Sequence, residues 1–153
     1  MENHVSYVLL LINQRFYLIN QLRKQGLSAK AREVVFHSLV ISRLLYALPA
    51  FVGFLSGADI ARFNSVFRKS VRWGIIDRMF DFDELSISSQ DQLFKRFSTN
   101  FNHCLHQLLP ELRNTCYMLR QRGHSFSLPV VSRTLFKKSF VVNYLYSHMY
   151  VNV

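Results

Sequence analysis

Histidine and cysteine side chains in the last third of the sequence are the first candidates for chemistry, because both can hold zinc or act in nucleophilic catalysis. The candidates are His103, Cys104, His106, Cys116 and His124. Zinc ligands usually come in pairs separated by two to four residues, whereas one residue separates Cys104 from His106 and Cys116 has no near partner. A nucleophilic pair of cysteine and histidine would also need an orienting group and an oxyanion turn, and nothing in the sequence indicates either. The sequence therefore predicts no metal site, no cofactor and no catalytic residue.

Asp81, Asp83 and Glu84 form an acidic cluster that could bind a cation. Acidic residues at the beginning of a helix are also stabilised by the positive end of the helix dipole. We expect this cluster to mark the entry of a helix.

A basic face is the best functional candidate. At 100° per residue, four basic residues fall within an arc of about 120° on one predicted helix, with an indole beside them. These residues are Arg62, Arg68, Lys69, Arg72 and Trp73. Basic side chains along one face can follow phosphates, and an aromatic ring can stack on a sugar or base. The face predicts nucleic-acid binding; the alternative is a solvated outer face of a bundle.

A second basic cluster surrounds the first predicted turn. Its members are Arg15, Arg23, Lys24, Lys30 and Arg32. We expect a solvated surface there, with phosphate contact as the alternative.

Two helices must position these early residues. Helical spacing of apolar residues predicts a first helix over residues 6–25, which Gly26 would end. Ser28 is expected to cap a second helix, and Pro49 is expected to end it.

A third helix would carry the basic face. Ser56 and Asp59 have the spacing of a capping box, which predicts a helix that begins there and extends to about Gly74. Residues 77–88 are expected to form a loop, and Ser88 is expected to cap a fourth helix through Phe97. Later segments are predicted as a loose helix over 111–122, an extended stretch over 123–129, and a last helix or arm over 135–146.

These elements predict a mainly α fold, with a small bundle of three to four helices followed by an irregular, basic, aromatic-rich C-terminal tail. The expected divisions are a helical bundle over 1–76, an acidic connector with the fourth helix over 77–99, and the tail over 100–153.

Composition agrees with a folded, polyanion-binding protein. The chain has 153 residues, half of them hydrophobic, and its 19 Lys and Arg exceed its 9 Asp and Glu, for a net charge of +10. Residues 1–76 carry ten basic and three acidic groups, residues 77–92 one and five, and residues 93–153 eight and one. A field of this sign attracts phosphate.

The sequence predicts an intracellular, cytoplasmic or nuclear protein that is not secreted. The N-terminal apolar run lacks the basic segment and cleavage site of a signal peptide. The longest apolar stretch, residues 44–58, contains Pro49 and two glycines and is too short to span a bilayer.

Several segments resemble jockey-like, non-long-terminal-repeat retrotransposon reverse transcriptases, in the same order as in that family. They are INQRFYLINQLRKQGLSAKAREVVFHSLVISRLLYALPAFVGFLS (12–56), FNSVFRKSVRWG (63–74), NFNHCLHQLLP (100–110), RGHSFSLP (122–129) and LFKKSF (135–140). The resemblance covers about residues 8–140.

The resemblance implies a C-terminal fragment of an RNA-directed DNA polymerase of a transposable element, comprising the thumb and post-thumb region. The family's catalytic aspartates lie in a "YADD"-type turn, which this sequence lacks. The implied fragment has no catalysis of its own and binds the backbone of an RNA–DNA or DNA duplex. The absent palm and fingers would be its protein partner.

An all-α module that docks a protein partner or an anionic membrane surface is the alternative. A thumb without its palm would also expose apolar surface. We expect poor solubility or self-association through patches at residues 8–12 and 44–55.

Overall fold

The computed structural model of the protein describes residues 2–113 and 123–149, and these residues are mainly α-helical, as predicted. Cys116, Arg122 and most of the predicted loose helix over 111–122 lie outside the described residues. An isolated antiparallel bridge joins Leu112, at the start of the predicted loose helix, to Phe126, in the stretch that was expected to be extended.

The chain divides into two compact units. The first comprises Met1–Leu48 and Leu55–Ser89, and the second comprises Pro49–Phe54 and Gln90–Val153. The divisions expected after residues 76 and 99 stay predictions.

Helix α1, Glu2–Lys24, begins the first unit. Ile12, Phe16 and Ile19 are buried at the helical spacing of the predicted apolar stripe. Gly26 follows the helix with φ +93°, a left-handed conformation that glycine adopts at low cost, and it ends α1 as predicted.

Helix α2, Ala29–Phe36, begins where Ser28 accepts a hydrogen bond from the Ala31 N–H, which confirms the predicted cap. It continues through a π-helical turn, His37–Ile41, into α3, Ser42–Leu45.

The prediction that Pro49 ends this helix is wrong. The helical path breaks earlier, at Ala47, whose φ is +56°. Pro49 is instead the second residue of a short helix α4, Leu48–Phe51, which a 3₁₀ turn, Val52–Phe54, follows. Proline is tolerated there because the first turn of a helix does not need its missing N–H.

Helix α5, Gly57–Arg72, confirms the predicted capping box. The Ser56 hydroxyl accepts from the Asp59 N–H at 3.2 Å, and the Asp59 carboxylate accepts from the Ser56 N–H at 3.2 Å. Phe63 and Phe67 are fully buried, so this helix turns one face into the core and leaves the other free.

Helix α6, Phe82–Thr99, corrects the predicted start at Ser88. Phe82 is fully buried and stacks on Phe63 with ring centroids 4.9 Å apart, and its N–H donates to the Asn64 side chain. This packing extends the helix by about two turns over a segment that was expected to be a loop. Asp83 and Glu84 lie in its first turn, consistent with the expected helix entry.

Phenyl rings dominate the core of the first unit. Phe36 stacks between Phe16 at 6.3 Å and Phe80 at 6.2 Å, and Phe80 also contacts Phe67. Such ring pairs contribute stability beyond the area that they bury.

The second unit has its own core, built on Phe94, Phe97, Tyr144 and Leu145. The described part of residues 100–149 contains a 3₁₀ turn, His106–Leu108, and helices α7, Thr134–Lys137, and α8, Phe140–Ser147. The expectation of an irregular tail is not confirmed, because α8 and the residues around the 3₁₀ turn pack against Phe94 and Phe97 of α6.

The two patches that were expected to be exposed are buried in part. Val8, Ile12, Leu44 and Leu48 each have at most 5% of their surface exposed, whereas Leu10 and Tyr46 are 56% and 73% exposed. Leu10 of the first patch belongs to a stripe of exposed apolar side chains on the outer face of α1, comprising Tyr7, Leu10, Tyr17 and Leu18.

One segment of the described chain, Ala29–Phe54, is long enough to cross a membrane and contains an 18-residue window with a mean hydropathy of 1.6. The core helix of a soluble protein can have the same properties. Phe36, Val40 and Leu44 within it are buried, and 39% of its most apolar 18-residue window is buried.

Candidate nucleic-acid interface

The predicted basic face lies on α5, on the side turned away from Phe63 and Phe67. The structure places its five residues in two environments. Arg62, Lys69 and Trp73 lie partly buried beside α1, whereas Arg68 and Arg72 are exposed.

Arg62 is held by residues of its own unit. Its guanidinium lies 3.5 Å from the Asp59 carboxylate and donates to the Ser6 hydroxyl of α1 at 3.0 Å. These contacts use two of the five guanidinium donors, and the bond to Ser6 ties α5 to α1.

The carboxylate of Asp59 is stabilised in its charged form. Hydrogen bonds from the Ser56 hydroxyl and N–H lower the pKa of Asp59, and the nearby Arg62 charge lowers it further. Asp59 therefore remains an anion that holds Arg62 at neutral pH.

Lys69 and Trp73 form a packed pair on the edge of the face. The Lys69 ammonium lies 4.4 Å from the centroid of the indole ring and donates to the Asn13 side chain at 3.1 Å. The indole also meets Phe16 edge to face at 5.9 Å. One face of Trp73 is thus covered by a cation from its own chain.

Arg68 and Arg72 are the free cations of the face. With Ser65 and Lys69 they line an open cleft of 530 Å³ along α5. Within the part of the chain that the structure describes, Arg68, Lys69 and Arg72 form no ion pair. Their charge is available to an external anion.

Part of the second basic cluster joins this surface. Arg23 donates to the backbone carbonyl of Trp73, which brings the end of α1 to the end of α5. Arg23 and Lys24 line a second cleft of 440 Å³ together with Arg72 and Trp73. The two sequence clusters therefore meet at Arg72, which borders both clefts.

The other members of that cluster lie elsewhere. Arg15 is partly buried, and its Nη1 has no hydrogen-bond partner among the described residues. Arg32 donates to the Leu27 carbonyl at 3.2 Å, and Lys30 is exposed at the start of α2. None of the three lines either cleft.

The histidines that were considered as metal ligands bond to the backbone of the second unit. His106 Nδ1 lies 2.7 Å from the Phe97 carbonyl, and His124 Nε2 lies 2.8 Å from the Leu145 carbonyl. His103 Nδ1 accepts from the Leu105 N–H. Among the described residues, no three histidine, cysteine or acidic side chains gather in a group that could hold a metal ion.

Sequence reasoning missed Tyr17, which is 64% exposed and lines the 440 Å³ cleft. A signal was present, because Tyr17, Asn20, Gln21 and Lys24 have the i, i+3, i+4, i+7 spacing of one helix face.

A second missed group lies in the second unit. The Tyr144 hydroxyl donates to Asp91 at 2.9 Å, and its ring stacks between Phe94 at 4.1 Å and His148 at 4.0 Å. Burial of the phenol, with the Asp91 charge beside it, raises the pKa of Tyr144 far above its ordinary value. This phenol therefore stays neutral and acts as a structural hydrogen-bond donor.

A search with protein-family models gives no match to this chain, and searches of curated proteins and of solved structures give no match either.

Proposed function

We propose that this chain is the thumb-like, nucleic-acid-binding part of a retrotransposon reverse transcriptase. In this proposal it holds the phosphate backbone of a template–primer duplex and does no chemistry of its own. The palm and fingers of such an enzyme are its protein partner, and its site of action is inside the cell, in the cytoplasm or the nucleus.

The observation that carries this proposal is the exposed pair Arg68 and Arg72 beside Lys69. The three cations lie along one side of a 16-residue helix, border an open cleft and are free of ion pairs within the described chain. A duplex presents a regular line of phosphates, and a line of cations on a rigid helix can meet several of them together.

Contacts of this kind position a duplex without reading its sequence. Phosphate oxygens are the same at every base pair, so Arg68 and Arg72 would bind unrelated sequences alike. Arg62, which is already paired with Asp59, would contribute less than these two residues.

The absence of catalysis is proposed from the sequence. No two aspartates are adjacent in the chain, whereas two-metal nucleotidyl transfer needs carboxylates that hold both ions together.

The test is a fluorescence titration of RNA–DNA hybrids of unrelated sequence with the wild type and the Arg68→Ala, Arg72→Ala double variant. We expect the double variant to bind every hybrid more weakly by a similar factor. We also expect the slope of log affinity against log salt to fall by about two, since each lost phosphate contact removes roughly 0.9. A double variant with the wild-type slope would show that this face is only solvated surface.

A second candidate function is a module that docks a protein partner or an anionic membrane surface. The second unit favours it with a cavity of 430 Å³ whose lining includes Leu108, Phe136 and Leu145. Phe136→Asp would place a charge in that cavity. This function predicts that the variant loses sedimentation with anionic vesicles or capture by a partner, while its binding of hybrids is unchanged.

Self-association is proposed through Leu10 and Leu18 of the exposed stripe of α1, and Leu10 lies in the first of the two patches expected from the sequence. Size-exclusion chromatography of the wild type and of the double variant Leu10→Lys, Leu18→Lys tests this proposal. The double variant should elute as a smaller species if the stripe joins copies of the chain.

A further inference from the structure

The 440 Å³ cleft of the first unit differs from the basic face of α5 in the chemistry of its walls. One wall is α1, which contributes Tyr17 and Lys24, and the other is the end of α5, with Arg72 and Trp73. Its volume lies within the range of sites that hold small organic groups.

Cations surround this cleft. Arg23, Lys24 and Arg72 all line it, and no acidic side chain is among its described lining residues. Lys24 and Arg72 are exposed. Arg23 donates one hydrogen bond to the Trp73 carbonyl, and its other N–H groups can still bind a ligand. The charge of the cleft therefore fits an anionic ligand such as a phosphodiester.

The aromatic wall of the cleft suits a ligand that has an unstacked ring, which the backbone of a duplex does not offer. Tyr17 is 64% exposed, so its ring is free to stack on another ring. Trp73 is less available, because Lys69 covers one face of the indole and Phe16 meets its edge. Bases inside a duplex are stacked on one another, whereas an unpaired base can stack on an exposed aromatic side chain.

Amide side chains complete the lining. Asn20 and Gln21 lie in the same cleft as Tyr17. A carboxamide both donates and accepts, and every nucleobase edge offers donors or acceptors. Amides therefore suit a base without demanding one sequence.

We propose that this cleft binds one unpaired nucleotide of a single strand, with the base on the Tyr17 ring and the phosphate between Lys24 and Arg72. The inference rests on the proposed function, because Arg72 borders both clefts. It adds single strands as a class of ligand, which the α5 face alone does not select.

The test compares a short oligouridylate with a blunt RNA–DNA hybrid as ligands of the full chain. Trp73 is the single tryptophan, so its fluorescence reports on this cleft. The variant is Tyr17→Leu, which keeps an apolar side chain but removes the ring. The matched control is Tyr17→Phe, which keeps the ring. Circular dichroism checks that both variants fold.

We expect Tyr17→Leu to weaken oligouridylate binding about tenfold, the scale of one lost base stack. The salt slope should not change, because stacking releases few counterions. Tyr17→Phe should bind the oligouridylate as the wild type does, and all three proteins should bind the blunt hybrid equally.

Unchanged oligouridylate affinity in Tyr17→Leu would overturn the inference, as would an equal loss of hybrid binding. If the wild type binds the hybrid but not the oligouridylate, the inference fails and the proposed function stands. If the wild type binds neither ligand, both fail.

Discussion

The two units each contain a cavity of nearly the same volume, 440 Å³ in the first and 430 Å³ in the second, but their walls have opposite chemistry. Arg23, Lys24 and Arg72 line the first. Aliphatic and phenyl groups line the second, where Ser139 is the one polar side chain among the described lining residues. An anion that entered the second cavity would lose its hydration without receiving a charged partner. The volume of a cavity therefore does not indicate the class of its ligand, whereas the charge and polarity of its lining do.

Net charge is an equally poor guide to the binding surface. Residues 1–76 and 93–153 both carry seven more basic than acidic groups. In the first unit, several cations converge on two clefts that meet at Arg72. In the second unit, Lys137 lies 5.5 Å from the centroid of the Tyr146 ring, and neither Lys137 nor Lys138 lines the apolar cavity. Of these two arrangements, the first places several cations around a cleft that a ligand could enter.

Removal of one core ring from each unit is the strongest way to test whether the units differ. Phe67→Ala and Phe97→Ala each delete a fully buried phenyl ring, so each should lower the free energy of unfolding by about 3–5 kcal/mol. Urea unfolding gives the size of the loss. Hydrogen exchange should locate it, with faster exchange in α1 for Phe67→Ala and in α8 for Phe97→Ala. The same exchange pattern in both variants would contradict a division into two units.

A pair of glycines gives the next largest contrast. A Cβ at Gly53 would collide with the Lys138 backbone carbonyl of the second unit, whereas a Cβ at Gly57 of the first unit would meet nothing within 4 Å. Gly53→Ala should cost about 1–3 kcal/mol, the usual scale of overpacking. Gly57→Ala, the matched control, should leave stability unchanged or raise it, since alanine favours the helix. Equal urea midpoints for the two variants would contradict a close approach of Gly53 to the Lys138 carbonyl.

The cap of α5 predicts a smaller and pH-dependent effect. Ser56→Ala should cost about 1 kcal/mol at neutral pH, because it removes the acceptor for the Asp59 N–H. The folded pKa of Asp59 is lowered. Its contribution to stability is therefore present above the ordinary pKa of about 3.9 and is lost as pH falls through the folded value.

The control for this prediction is Asp59→Asn, which keeps an oxygen acceptor but does not titrate. Urea midpoints measured in steps below pH 4 should fall more steeply for the wild type than for Asp59→Asn. Parallel curves would mean that Asp59 does not couple the cap to pH.

The sequence could predict what depends on neighbours along the chain. The Ser28 cap, the Gly26 stop and the Ser56–Asp59 capping box are local patterns, and all three are present. The basic arc of α5 also follows directly from helical periodicity. These features need no knowledge of distant residues.

Features that depend on distant residues could not be predicted in this way. Ser88 has the pattern of a cap, but α6 begins six residues earlier, at Phe82, whose ring stacks on Phe63. The Arg23 bond to the Trp73 carbonyl joins residues fifty positions apart and brings the two basic clusters together. Only packing shows that Arg62 faces Ser6 while Arg68 and Arg72 remain exposed.

The most direct test of the proposed interface compares two double variants that lose the same charge. Arg68→Ala, Arg72→Ala removes two cations from α5, and Lys137→Ala, Lys138→Ala removes two exposed cations from the second unit. Both are titrated with one RNA–DNA hybrid over a range of salt. If α5 is the interface, the slope of log affinity against log salt falls by about two in the first variant and stays at the wild-type value in the second. Equal slopes in the two variants would contradict it, because binding would then depend on net charge alone.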